Sequence, residues 1–204
     1  MSDQILDFLL KMAGGRNIEI AAVALGLANV ALIIRRNIWN YPFGIAMVIL
    51  YAQIFYEYRL YSDSALQIFY LGIQVYGWWY WWHGRGADGR VIVERASTRT
   101  LAILALGALT GTAVLGTAMA RLTDAAAPFL DGAITLLSVV AQFLMSRRRL
   151  ESWVVWIIVD LLAIGLFWAK DLQPTAMLYG VFLVLAGIGF LAWLQAWREG
   201  GAAT

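Results

Sequence analysis

The stretch that decides the fold runs from residue 152 to residue 170 and reads Ser152-WVVWIIVDLLAIGLFWA-Lys170. Between its polar ends every residue except Asp160 is apolar, and its length approaches the ~20 residues that cross a bilayer as a helix. A carboxylate at membrane depth costs on the order of 2.5–3.5 kcal/mol, so such acids usually face a cavity, a partner or a ligand. The stretch therefore predicts a transmembrane helix with Asp160 as a functional-site candidate.

Two tryptophans accompany this acid. Trp153, Trp156 and Asp160 share one helical face, because offsets of three and seven residues return to nearly the same azimuth. Indoles offer flat apolar walls that attract cations, so the three residues suit a planar, positively charged aromatic guest. The alternative is that both indoles are interfacial anchors or packing residues, and that Asp160 pairs with a hydroxyl on a neighbouring helix.

Composition sets the class of protein. Hydrophobic residues make up 62% of the 204-residue chain and charged residues 14%, whereas soluble domains carry about 25% charged residues. Seven apolar runs recur, and they begin near Ile18, Tyr41, Ala65, Arg99, Ala125, Trp153 and Thr175. The sequence predicts an all-α polytopic membrane protein with seven transmembrane helices and the lipid bilayer as its environment. No soluble domain remains, and no nucleic-acid partner is expected.

With seven spans, the positively charged residues are distributed unequally between the two faces of the membrane. One face receives Arg35, Arg36, Arg85, Arg90, Arg95, Arg99, Arg147, Arg148, Arg149 and Arg198, and the other receives Lys11, Arg16, Arg59, Arg121 and Lys170. The positive-inside rule places the richer face in the cytoplasm. We therefore expect the N-terminus outside and the C-terminus in the cytoplasm.

The two halves of the chain echo each other. Arg35-Arg36 with Trp39 resembles Arg148-Arg149 with Trp153, and Gly77 and Trp81 fall opposite Gly189 and Trp193. Three spans, one linker span and three more spans predict two parallel three-helix repeats, the 3+1+3 arrangement of SWEET proteins, with the binding site between repeats near the midplane. The sequence predicts an outer N-terminal segment with an interfacial helix (1–17), one transmembrane domain (18–197) and a cytoplasmic tail (198–204). Within the transmembrane domain it predicts repeat one (about 18–82), the linker helix (about 99–119) and repeat two (about 125–197).

Polar residues inside other spans extend the predicted substrate site. Gln67, Gln74 and Trp78 lie along one face of the third span, and Asp131, Ser138 and Gln142 form a stripe on the fifth. The alternative is ordinary hydrogen bonding between helices. Asp131 follows Pro128 and also suits a helix cap, and Asn40 is either a cap or a rim residue. The full set is Trp153, Trp156, Asp160, Gln67, Gln74, Trp78, Gln142, Ser138, Asp131 and Asn40.

Several classes of protein are disfavoured by what the sequence lacks. It has no cysteine, and its one histidine, His83, follows the third span, so neither a metal centre nor a thiol nucleophile is predicted. No nucleotide-binding loop is present. The two lysines, Lys11 and Lys170, lie outside the last span, which argues against a retinal Schiff base. We expect no enzyme activity and no cofactor, while a channel or receptor stays an alternative to a carrier.

The chain resembles the PnuC-type vitamin transporters, the family that includes bacterial nicotinamide riboside carriers. The matching segments are Asn40-YPFG, Leu60-Tyr61, Leu66-Gln67, Tyr76-Gly77-Trp78, Pro128-FLD, Leu137-Ser138 and Glu151-SWVVWIIVD. In this family a W-x-x-W-x-x-x-N pattern on the sixth span marks the substrate site. Trp153 and Trp156 match its tryptophans, and Asp160 stands where many members have asparagine.

The resemblance implies a function beyond what the residues alone indicate. It implies the 3+1+3 fold, facilitated diffusion of a dephosphorylated vitamin across the bacterial cytoplasmic membrane, trapping by a cytoplasmic kinase, and a homotrimer. A cationic heteroaromatic vitamin suits an acid beside indoles, which favours nicotinamide riboside. Thiamine fits nearly as well and neutral riboflavin less so. Proton coupling through Asp160 stays open.

Overall fold

The computed structural model describes residues 18, 21–57, 59, 61–86, 88–124 and 126–201. These residues form seven helices: α1 (Ala21–Ile34), α2 (Asn40–Glu57), α3 (Tyr61–Trp82), α4 (Thr98–Leu122), α5 (Pro128–Ser146), α6 (Glu151–Ala169) and α7 (Gln173–Gly201). The predicted interfacial helix in residues 1–17 and the last three residues of the tail lie outside the described residues. The all-α prediction is confirmed.

Four of the described helices are long and apolar enough, by length and composition, to cross a membrane. They are α4, α5, α6 and the Thr175–Gly200 part of α7, and α1 is a shorter apolar helix. The helices begin close to the predicted positions, since α2 starts at Asn40 and α4 at Thr98. Local signals explain such starts: the Ser97 hydroxyl accepts a hydrogen bond from the Thr100 amide, and Pro128 occupies the first turn of α5.

The chain divides into two compact units, residues 1–83 and residues 84–204. In the first, α2 packs against α3, and the Asn29 side chain of α1 donates to the Asn40 carbonyl at 2.7 Å. In the second, α5 packs against both α4 and α6, and α6 packs against α7. Glycine brings α4 and α5 together, because a Cβ on Gly116 would lie 2.5 Å from Phe129 Cδ1 and 3.0 Å from Phe129 Cα.

Matching turns recur in the two units at a constant separation. All four non-glycine residues with positive φ among the described residues form two pairs, Arg36 (55°) with Arg148 (60°) and Arg59 (61°) with Asp171 (56°). The separation is 112 positions in both pairs (148 minus 36, 171 minus 59). The following turns also match, since the Asn40 side chain donates to the Asn37 carbonyl at 2.8 Å and the Ser152 hydroxyl to the Arg149 carbonyl at 2.7 Å.

This separation corrects one pairing made from the sequence. The echo set Trp39 opposite Trp153, but a shift of 112 positions sets Tyr41 there instead, and Trp39 is 63% exposed whereas Tyr41 is 3% exposed. The proposed pairing of Gly77 and Trp81 with Gly189 and Trp193 has the same 112-position shift. The sequence comparison aligned Arg35-Arg36 with Arg148-Arg149 as pairs. The turns align Arg36 with Arg148 instead, because each of these is the one arginine with positive φ in its turn.

A segment between α3 and α4 is held against the turn that precedes α6. The buried Arg148 side chain donates to the Gly84 carbonyl at 3.1 Å and to Glu94 Oε1 at 2.6 Å. Glu94 also pairs with Arg149 at 2.9 Å, and its backbone exchanges hydrogen bonds with Arg148 and Leu150. Since the Glu94 carboxylate and the Gly84 carbonyl both accept from the buried Arg148 guanidinium, this network fixes the start of α6.

Replacing Arg148 by methionine should lower the melting temperature of the detergent-purified protein. The change removes the bond from the buried guanidinium to the Glu94 carboxylate and one of the hydrogen bonds to the Gly84 carbonyl, and hydrogen bonds to a charged group are worth about 1.5–3 kcal/mol. Arg90→Met provides the control, because Arg90 lies exposed in the same segment. Equal melting temperatures for the two variants would show that the network does not hold this end of α6.

Candidate functional site

The candidate site is built on α6, where Trp153, Trp156 and Asp160 share the predicted face. The Glu151 carboxylate anchors the first turn of this helix, accepting from Arg95 Nε at 2.9 Å and from the Ala96 amide at 2.8 Å. Asp160 lies halfway along the 19-residue helix. The start of α6 is therefore fixed by Glu151, and Asp160 lies at the middle of the helix.

Trp153 is enclosed by α7. The side chain is 3% exposed, and its ring meets the Trp193 ring edge to face at 5.7 Å and 85°. A Cβ placed on Gly189 would lie 2.5 Å from Trp153 Cη2, so only glycine lets the indole lie this close to the α7 backbone. The Trp153 Nε1 atom is buried and has no hydrogen-bond acceptor among the described residues.

Trp156 and Asp160 differ from Trp153 in what surrounds them. Trp156 is half-buried, and no aromatic ring in the described part of the chain stacks on it. Asp160 is 3% exposed and forms no salt bridge with the described residues. Tyr179 on α7 is near enough to interact with it electrostatically. An enclosed carboxylate without a protein cation is suited to accept a cationic or hydrogen-bonding guest.

Two predicted residues of α5 reach the depth of this pair. The α5–α6 hairpin is aligned at one end by the contact of Ser152 Oγ with Met145 Sδ at 3.6 Å. Because the helices run antiparallel from that point, Ser138 lies at the level of Asp160 and Gln142 at the level of Trp156. Both side chains are half-buried. The second unit thus brings an acid and a hydroxyl to one level of the helix pair, and an indole and an amide to the level one helical turn away.

Asp131 does not join them. Its carboxylate accepts from Lys170 Nζ at 3.2 Å, which ties the first turn of α5 to the end of α6. Lys170 follows Asp160 by ten residues, or about 15 Å along the helix at the usual rise. An ion pair between helix ends accounts for Asp131, which favours a packing role over contact with a ligand at Asp160.

The other predicted residues belong to the first unit. Asn40 is 2% exposed, and its amide nitrogen is engaged by the Asn37 carbonyl, as expected of a residue that closes a turn. Gln74 is 6% exposed, and a Cβ on Gly44 would lie 2.5 Å from its Nε2 atom. Gln67 and Trp78 are half-buried on the same helix, α3.

The tryptophan and the acid of α6 have no counterpart at the corresponding positions of the first unit. Shifting by the 112 positions that match the turns, Trp156 falls opposite Gly44 and Asp160 opposite Val48. In the first unit the space beside Gly44 is taken by the Gln74 and Asn29 amides. The W-x-x-W-x-x-x-D face is therefore a property of the second unit.

Sequence reasoning missed the residues that support the site from elsewhere in the chain. Tyr179 and the Glu94 network carry no local sequence motif. The packing of Trp153 against Gly189 and Trp193 did have a sequence signal, because these two residues echo Gly77 and Trp81. The described residues contain no group of three or more histidine, cysteine or acidic side chains able to hold a metal ion.

Comparison with known proteins extends over nearly the whole chain. The family described as "Nicotinamide mononucleotide transporter" matches residues 16–195. The nicotinamide riboside transporter PnuC of Escherichia coli K12 is 27% identical, over 93% of this chain and 91% of the relative. The riboflavin/roseoflavin transporter RibM of Streptomyces davaonensis is 29% identical, over 86% of this chain and 84% of that relative.

A solved structure agrees with the fold. The crystal structure of the vitamin B3 transporter PnuC matches with a TM-score of 0.72 at 26% sequence identity, covering 96% of this chain and 88% of the other. The relatives are named as transporters, which agrees with the prediction that the chain is not an enzyme. The resemblance stated from the sequence motifs is confirmed.

Proposed function

The chain belongs to the nicotinamide mononucleotide transporter family, and from that premise we propose that it carries nicotinamide riboside across the bacterial cytoplasmic membrane. The observation that supports this substrate most is the half-buried Trp156 one helical turn from the buried Asp160. The guest's pyridinium ring can stack on the indole while its charge faces the carboxylate, and its amide and hydroxyls suit Ser138 and Gln142.

A second vitamin is the main rival. One relative is named as a riboflavin/roseoflavin transporter, and a flavin ring also stacks on indole. Riboflavin is neutral, so it gains less from an enclosed carboxylate than a pyridinium does. Thiamine is cationic and aromatic and remains the other candidate. Calorimetric titration of the purified protein with all three vitamins distinguishes them, and tightest binding of riboflavin would refute the proposed substrate.

We assign the seven helices to two three-helix repeats, α1–α3 and α5–α7, with α4 as the linker helix in a SWEET-like arrangement. The paired positive-φ residues and the paired turn hydrogen bonds, all 112 positions apart, support this assignment. Within this scheme residues 18–197 form one transmembrane domain and the tail follows it. Assembly as a homotrimer is part of the same proposal and is open to cross-linking in membranes.

The transport mechanism we propose is facilitated diffusion, with a cytoplasmic kinase trapping the vitamin by phosphorylation. The sequence has no nucleotide-binding loop, so this chain has no means of its own to hydrolyse ATP. In proteoliposomes preloaded with unlabelled nicotinamide riboside, external labelled vitamin should accumulate transiently by counterflow. Uptake that neither saturates nor shows counterflow would indicate a channel. Uptake that requires a proton gradient would indicate proton-coupled transport in place of facilitated diffusion.

Reporter fusions should place residues near Arg90 and Arg148 in the cytoplasm and residues near Arg121 outside. This outcome follows from the proposed seven spans and from the excess of arginine on one face. A pair of reporters active on opposite sides of the membrane, fused after each position, provides the measurement. Finding Arg90 and Arg121 on the same side would be incompatible with α4 as a single linker span.

A further inference from the structure

We propose that Arg90 and Arg99 bind the headgroup of an anionic phospholipid at the surface of the membrane. Arg90 lies in the segment between α3 and α4, and Arg99 lies in the first turn of α4. The inference concerns the lipid that surrounds the protein and goes beyond the proposed vitamin transport, since neither arginine belongs to the candidate site on α6.

The segment that carries Arg90 has an inner and an outer face. An antiparallel bridge between Arg85 and Val91 folds it into a hairpin. Successive side chains of an extended chain point to opposite faces, and Val91 and Val93 are buried. Arg90 and Ile92 therefore face outwards, and Ile92 is 51% exposed. The outer face presents a cation and an apolar side chain together, which suits the polar–apolar boundary of a bilayer.

Arg90 and Arg99 differ from the other arginines nearby in having no acidic partner. Glu94 and Glu151 pair with three neighbouring arginines at 2.6–2.9 Å. Neither Arg90 nor Arg99 forms an ion pair within the part of the chain that the structure describes, and both are exposed. Asp88 turns one carboxylate oxygen to the backbone amide of Arg90, at 3.0 Å. Two guanidinium groups are thus available, and their donors match the oxygens of a phosphate.

α4 supplies the apolar surface that a phospholipid also needs. Ile103 and Leu106 follow Arg99 by four and seven positions, so the three side chains share one face of the helix. Ile103 is 61% and Leu106 64% exposed, and Ala108 and Gly116 are the buried residues of this 25-residue helix. Because α4 is long and apolar enough to cross a membrane, this face meets acyl chains, and Arg99 lies at the level of the headgroups.

The charge of the headgroup decides which lipid fits best. A zwitterionic headgroup carries its own ammonium beside the phosphate, so two arginines gain less from it than from a headgroup with a net negative charge. Each arginine near an anionic membrane surface contributes about fivefold in affinity. Phosphatidylglycerol is therefore expected to bind more tightly than phosphatidylcholine.

Native mass spectrometry of the detergent-purified protein, titrated with each of these two lipids, tests the assignment. The double variant Arg90→Gln/Arg99→Gln should bind its first phosphatidylglycerol about tenfold or more weakly, with phosphatidylcholine binding unchanged. Arg121→Gln/Arg198→Gln is the matched control, because it removes two exposed arginines from other helix ends and should leave the affinity close to that of the wild type. Equal phosphatidylglycerol affinity in the two double variants would overturn the proposal, as would displacement of the lipid by soluble glycerol phosphate.

Asp88→Asn should have the opposite effect. It removes a negative charge beside Arg90, while the amide oxygen of asparagine can still accept from the Arg90 backbone. Phosphatidylglycerol should bind this variant more tightly than the wild type, and an unchanged or lower affinity would contradict a headgroup at the hairpin. The titrations contain no vitamin, so they decide the lipid site even if the protein proves not to bind nicotinamide riboside.

Discussion

Replacing Trp156 by alanine is expected to weaken nicotinamide riboside binding by tenfold or more while leaving expression and folding nearly intact. Stacking of a base-like ring on one aromatic side chain is worth roughly 1–3 kcal/mol, and each 1.4 kcal/mol is about a factor of ten in affinity. Trp156 is half-buried and lies beside Asp160 on α6. Removing it exposes the guest ring to an open space rather than collapsing the helix pair. Isothermal titration of the detergent-purified variant provides the measurement.

Trp168→Ala is the matched control for this experiment. Trp168 is on the same helix, but it is 59% exposed and lies two turns beyond Asp160. Its removal deletes the same side chain, an indole, without touching the proposed stacking position. If both alanine variants bind the vitamin as tightly as the wild type, Trp156 does not contact the guest, and the site has to be sought elsewhere in the chain.

The second large effect is expected from Asp160→Asn, measured with a charged and an uncharged ligand. Asparagine preserves most of the shape and hydrogen bonding of the acid but cannot neutralise a cation. Affinity for nicotinamide riboside should therefore fall by ~1–2 kcal/mol, the usual advantage of charge-assisted over neutral contacts. Affinity for dihydronicotinamide riboside, which has no charged ring, should hardly change. The difference between the two losses measures the charge contribution alone.

Asp171→Asn controls for the change in net charge. Asp171 is exposed just after α6 and has a positive φ of 56°, a conformation that asparagine tolerates well. Equal losses for both ligands in the Asp160 variant would assign the acid a geometric role only. Tighter binding of the cation by that variant would contradict charge pairing, and it would indicate that this carboxyl is normally protonated or that the natural substrate is neutral.

The shared face of Trp153, Trp156 and Asp160 followed from the sequence because it depends only on helical periodicity, which is a local property. The residues of other helices that the predicted site residues contact did not follow from the sequence. Asp131 was grouped with Ser138 and Gln142 by the same periodicity, yet it pairs with Lys170, which lies 39 residues away in the chain. Spacing along one helix shows which side chains align, whereas the partner they meet is contributed by another helix.

By itself the sequence determined the class of the protein, the approximate position of its described helices and its family, since each depends on runs of apolar residues or on motifs a few positions long. Only the tertiary structure separated Trp153 from Trp156. Both are tryptophans on one face of α6, but Gly189 and Trp193 on α7 enclose the first and leave the second half-buried. The difference is decided by close packing between helices, and a pattern within one helix contains no information about which side chain the neighbouring helix covers.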